Sequence, residues 1–132
     1  MISTKGRYAL RVMLDLAENA SGISVPLKDI AERQQISKKY LEIIVSALVK
    51  AKMIKGSSGK GGGYVLCRKP TEYTVGEILE ATEGSLAAVA CLAEGAAVCP
   101  MSKKCKTLPL WTELDGMIHD FLFSKKLSDL IK

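Results

Sequence analysis

The chain has 132 residues, 48% of them hydrophobic and 25% charged, with a formal net charge of +5. That length allows one domain with a genuine core, or a small domain with an oligomerisation arm, and excludes two large domains. No apolar run follows the opening MISTKGRYAL and none elsewhere is long enough to span a bilayer. The expected location is therefore the cytoplasm, where four cysteines point to metal binding, redox sensing or burial before a disulfide framework.

The charge is partitioned. Residues 1–70 carry 13 Lys and Arg against 5 acids, net +8, and residues 71–132 carry 6 against 9, net −3. Clustered cations make the first half a candidate nucleic-acid surface, because they replace counterions condensed on phosphates. A merely solvated basic face is the alternative.

In chain order, STKGRYALRVMLDLAENASG predicts a helix with Leu10, Met13, Leu14 and Ala17 on its buried stripe and Arg7, Arg11, Asp15 and Glu18 off it. PLKDIAERQ predicts a second, about two turns long, opened by a proline and burying Leu27, Ile30 and Ala31. Ser37 is the expected N-cap of a third, KKYLEIIVSALVKAK, with Leu41, Ile44, Val45 and Leu48 inward. Lys38, Lys39, Glu42, Ser46 and Lys50 are then left for a partner. A short helix, a tight turn and a longer helix with a basic first turn form the helix-turn-helix pattern, in which the second helix enters the DNA major groove.

MIKGSSGKGGGYVLCRKP predicts two short strands, Met53 to Lys55 and Tyr64 to Cys67, around a glycine-rich loop. Such a wing can approach a sugar-phosphate backbone closely, offering amide N–H groups and Lys60 to phosphate oxygens. A nucleotide phosphate loop is excluded, since no Gly-Lys-Ser/Thr follows and the loop leads into a strand. YTVGEILEATEG predicts a helix with a Thr74–Glu77 capping box, stopped at Gly84. Ser85 to Pro109 has little periodicity and reads as a long loop, a feature that is usually functional or disordered. LPLWTELDGMIHDFLFSKK predicts a final long helix with a broad apolar face of Leu110, Trp111, Leu114, Met117, Ile118, Phe121 and Leu122. The expected cover for that face is the same helix of a second copy, giving a twofold dimer. A short amphipathic LSDLIK follows.

Taken together, STKGRYAL, ISKKYLEIIVSALVKAKMIK, GKGGGYVL, TVGEILEATEG and the tryptophan-led last helix ending in KLSDLI resemble the winged-helix bacterial transcription regulators of the IscR, NsrR and CymR type. The resemblance spans essentially the whole chain. It implies a mainly α fold with a small β-hairpin: a winged helix-turn-helix domain over 1–84, a cysteine-containing sensor loop over 85–109, and a dimerisation helix with tail over 110–132. It implies a homodimer on double-stranded operator DNA, not an enzyme, with no membrane and no small-molecule substrate. By position, Lys38, Lys39, Tyr40 and Glu42 match the recognition helix, with Glu42 suited to accept from a cytosine amino group. In the wing, Ser58 stands where some relatives carry a minor-groove arginine, and Lys60 and Gly61 follow it.

Cys91, Cys99 and Cys105 match the three cysteines with which the sensing members hold an iron–sulfur cluster, and the resemblance favours a 2Fe–2S over a 4Fe–4S cluster. The chemistry is consistent: thiolates bind iron, and a loop of small residues can wrap an inorganic core. Lys103, Lys104 and Lys106 offset the charge. The fourth ligand is open, because Leu108 stands where IscR-like members have histidine and no acid stands where NsrR-like members have one. Candidates are Asp15 or Glu18 of the partner copy, Thr107, Ser102, an exogenous thiol or water, and Cys67, which is expected to be a buried small hydrophobe. His119 is expected at the surface or the dimer interface. Zinc and a thiol–disulfide or peroxide switch are the alternatives for the trio, the latter with a cluster-free repressor of the CymR type.

Overall fold

The computed structural model describes residues 2–19, 23–59, 61–93, 96 and 103–131. Among them the elements run α1 (Thr4–Glu18), α2 (Leu27–Gln34), α3 (Lys38–Lys50), β1 (Ile54–Ser57), β2 (Gly63–Leu66), α4 (Val75–Glu83) and α5 (Leu108–Ser124). Single 3-10 turns lie at Pro70–Glu72, Ala90–Leu92 and Leu127–Leu130.

The core is built by two helices with the same spacing of apolar residues. Ala9, Val12, Met13 and Leu16 of α1 meet Leu41, Ile44, Val45 and Leu48 of α3, with Ile30, Ile36 and Ile78 closing the cluster. The third-helix stripe is the predicted one. The first-helix stripe is rotated by about one residue, since Leu10, Leu14 and Ala17 are only partly buried. The reason is that α1 is covered from two sides: Leu10 also packs on the satellite cluster of Val75, Leu79 and Leu122.

Local signals set three of the helix ends. Ser37 Oγ accepts from the Tyr40 N–H at 3.2 Å, and Thr74 and Glu77 close a reciprocal capping box at 3.1 and 2.9 Å. Burial raises the Glu77 carboxyl, but the Thr74 N–H and the Arg68 guanidinium 3.2 Å away more than offset it and hold the group below its ordinary range. Gly84, at φ 82°, ends α4 in a conformation that favours glycine.

The wing is an antiparallel hairpin pairing Ile54 with Leu66 and Ser57 with Gly63, displaced by about a residue from the predicted strands. Val25 adds a third rung, exchanging two 2.9 Å hydrogen bonds with Tyr64. Gly63 is needed there, because a Cβ would fall 2.4 Å from the Val25 backbone. The base of the wing is pinned by Tyr73, fully buried, whose hydroxyl donates to the Met53 carbonyl at 2.6 Å and accepts from the Cys67 and Arg68 N–H groups at 3.0 Å each.

The end of the chain returns to this domain. Val75 donates to Lys125 and Leu127 to Tyr73, at 2.8 and 3.0 Å, and Leu127 is sealed in the main core. At Gly76 a Cβ would lie 2.3 Å from the Phe123 ring, so α4 and α5 approach closely at that point. Leu110, Leu114, Met117 and Phe121 of α5 stay exposed, at 57%, 39%, 65% and 60%. Among the described residues no helix is long and apolar enough to cross a membrane.

Candidate nucleic-acid interface and cysteine loop

The helix-turn-helix is fixed by a polar bracket that periodicity did not reveal. Asp15, predicted off the buried stripe, is 2% exposed. Arg33 grips both its carboxylate oxygens, at 2.8 and 3.0 Å, and the Gln34 amide donates at 2.9 Å. Hydrogen bonding to Asp15 in turn raises the Arg33 pKa. Arg11 reaches the Gln34 side-chain and main-chain oxygens, so α1 holds the last turn of α2 from two positions. Asp15 lies inside the domain because α2 covers that side of α1, which no single-helix pattern can show. Its carboxylate is thus engaged within its own protomer.

With α2 and α3 so placed, Lys38, Lys39 and Glu42 are exposed along α3. Tyr40 is half-buried, its ring edge-on to Tyr8 at 5.8 Å and 76°, with the Arg11 guanidinium 5.0 Å from the Tyr8 ring. In the wing, Ser58 and Gly61 are exposed, Gly59 and Gly61 have φ of 88° and 81°, and the Gly62 N–H closes a turn on the Gly59 carbonyl at 2.9 Å. Lys60 lies outside the described residues. Cations, a carboxylate acceptor and glycine amides on one exposed helix and hairpin are a chemical set suited to phosphates and base edges.

Of the three loop cysteines, Cys91 is exposed in the 3-10 turn Ala90–Leu92 and Cys105 is half-buried just before α5. Cys99 lies outside the described residues. Cys105 Sγ is 3.4 Å from Thr107 Oγ1, and that hydrogen bond, helped by the Thr107 and Leu108 N–H groups, lowers its pKa toward the thiolate. Among the described residues, no group of three or more His, Cys, Asp or Glu side chains could hold a metal ion. Cys67 is exposed, contrary to expectation. The strand ends at Leu66, and the Tyr73 hydroxyl takes the Cys67 N–H while its side chain stays at the surface. His119 is a surface residue stacked on Phe123 at 4.4 Å.

Two carboxylates missed in the sequence tie down the start of the loop. Glu83 Oε1, at the end of α4, accepts from Ser3 N, Ser3 Oγ and Gly6 N at 2.6, 2.8 and 3.1 Å, capping α1 from a distant element. A Cβ at Gly6 would collide with it at 2.1 Å. Asp115 Oδ1, on α5, accepts from the Ala88 N–H at 2.8 Å. The only available signal was the small residue at Gly6. The segment 83–88 is therefore held by α1 at one end and by α5 at the other.

A winged helix-turn-helix with a long last helix defines a class of transcription regulators. The family model for Rrf2, described as an iron-dependent transcriptional regulator, matches residues 2–132, and the chain belongs to that family. It is 39% identical over 130 residues to the HTH-type transcriptional regulator IscR of Escherichia coli, covering 98% of this chain and 79% of the relative. Among solved structures it resembles CymR, the global cysteine regulator of B. subtilis, with a TM-score of 0.78 and 35% identity over 98% of this chain and 95% of that one. It also resembles T. potens IscR, with a TM-score of 0.75 and 34% identity over 98% and 85%. The protein is a transcription regulator, and these relatives are not enzymes.

Proposed function

We propose that the protein is a cytoplasmic homodimer that binds a two-half-site operator in double-stranded DNA and adjusts that binding through an iron–sulfur cluster held by Cys91, Cys99 and Cys105. In this reading α3 enters the major groove with Lys38, Lys39, Tyr40 and Glu42 toward backbone and bases, and Ser58, Lys60 and Gly61 of the wing follow the adjacent backbone. The apolar face of α5 meets its twofold copy.

The observation that carries the reading is the tethering of residues 83–88 to both α1 and α5. The donors suit the group: Cys91 and Cys105 carry no disulfide, and the Cys105 thiol already leans toward the thiolate that iron requires. When bound, a cluster, of the two-iron type on this reading, supplies a centre sensitive to iron supply, oxygen or nitric oxide. Thr107 Oγ1, beside Cys105, is the favoured local oxygen donor for the fourth position. Asp15 would have to give up Arg33 and Gln34 to serve. Ordering the cysteine loop draws on Asp115 and Glu83 and so sets α5 against the α1–α3 domain; releasing the loop relaxes that placement. A thiol switch is the second reading, favoured by the same lowered Cys105 thiol and by the exposed Cys67.

The test is operator titration with anaerobically prepared wild type and with Cys91→Ala, Cys99→Ala and Cys105→Ala. The cluster-loaded wild type is expected to differ from each variant by about tenfold in operator affinity, within the usual range of allosteric coupling. Equal affinities with equal salt dependence would remove the coupling.

A further inference from the structure

The recognition helix carries an exposed isoleucine that the core does not use. At 3.6 residues per turn, the buried stripe of Leu41, Ile44, Val45 and Leu48 leaves Lys39, Ile43, Ser46 and Lys50 on the opposite side, and all four are exposed. Ile43 is 52% exposed in the middle of that line, one turn after Lys39 and next to Glu42. Helix propensity does not account for it, since Lys, Gln, Glu or Ala would serve an exposed helical position better than a β-branched residue. An apolar protein partner is disfavoured, because Lys39 and Lys50 stand on either side of it along that line and would have to be desolvated with it. In a major groove the apolar feature available to such a side chain is the thymine 5-methyl group.

We propose that Ile43 is a specificity-determining residue that packs on a thymine methyl in each operator half-site. Lys39 and Glu42 fix the height of α3 over the base edges, and the branched side chain beside them selects thymine against cytosine, which has no methyl. This rests on the operator-binding reading above, and adds to it a base preference at one place per half-site.

The experiment uses the full-length protein and an operator selected by it from random duplexes, with each thymine replaced in turn by deoxyuridine. That exchange deletes the methyl and keeps Watson–Crick pairing. For the wild type, one thymine per half-site is expected to show about a four-fold loss, the ratio for burying a single methyl group, and about fifteen-fold when both half-sites are changed. Ile43→Ala, which improves helix propensity and so should fold, is expected to bind thymine and uracil duplexes equally, at the wild-type uracil level. Ile43→Val is expected to keep part of the preference. The proposal is overturned if no thymine is methyl-sensitive in the wild type, or if Ile43→Ala keeps the full penalty. Failure to select any sequence overturns the operator-binding reading itself, and is a different result from selecting one that ignores the methyl.

Discussion

Phe121→Glu is expected to run as a monomer and to bind a two-half-site operator about 10²-fold or more weakly than the wild type, the range over which linked sites gain avidity. In the protomer the change should be nearly silent for folding. Phe121 is 60% exposed, and Lys125, whose ammonium sits 5.4 Å from the ring centroid, lies one turn later, where a glutamate at 121 gains a favourable i,i+4 partner. In the proposed dimer the same carboxylate would sit on the apolar face of Leu110, Leu114 and Met117, with Lys125 at the helix end as the nearby cation to offset its desolvation. Light scattering after size exclusion reads the mass, circular dichroism checks the fold, and an operator titration reads the affinity. A folded Phe121→Glu dimer with unchanged affinity would remove α5 as the interface.

Arg33→Ala is expected to cost about 2–3 kcal/mol of stability, or about 6–12 °C in Tm. The mutation strips both hydrogen bonds of the guanidinium from a carboxylate whose side chain is 1% exposed, leaving the Gln34 amide as partner. The figure lies below the range for a fully buried pair because Arg33 itself is 40% exposed and its charge is partly screened. Asp15→Asn should cost less, about 1–2 kcal/mol, since it removes the buried charge together with one acceptor. Thermal unfolding of the two variants checks the order. If Asp15→Asn proved the more damaging, the carboxylate would be doing more than bracketing α2.

The elements legible in the sequence are those governed by neighbours in the chain. Ser37, the Thr74–Glu77 pair and Gly84 act within a turn of themselves, and the α3 stripe sits against one continuous core, so period and cap residues sufficed. Asp15 failed because a second helix covers a side of α1 that looked polar. Cys67 failed because a tyrosine six residues on, rather than burial of its own side chain, settles the strand end. Glu83 and Asp115 were invisible for a similar reason: their partners lie 77 to 80 and 27 residues away, and a carboxylate at a helix end or on a helix surface looks like ordinary solvation. In the candidate site, α3 and the hairpin were legible as elements, from the helical period and from the glycine run. The tie from residues 83–88 to α1 and α5 was not, because three of its four donors are main-chain N–H groups, and Gly6 alone hints at the close approach.

The most direct test of the account is the visible spectrum, iron and acid-labile sulfide content of the full-length protein purified without air, with operator binding followed as the chromophore is bleached in the same sample. A cluster held by the cysteine loop gives a brown protein with sulfide-to-iron absorption, about two irons and two sulfides per protomer for the two-iron type, and an operator affinity that changes in step with bleaching. A colourless protein without iron, binding its operator with an affinity indifferent to oxygen, would contradict it.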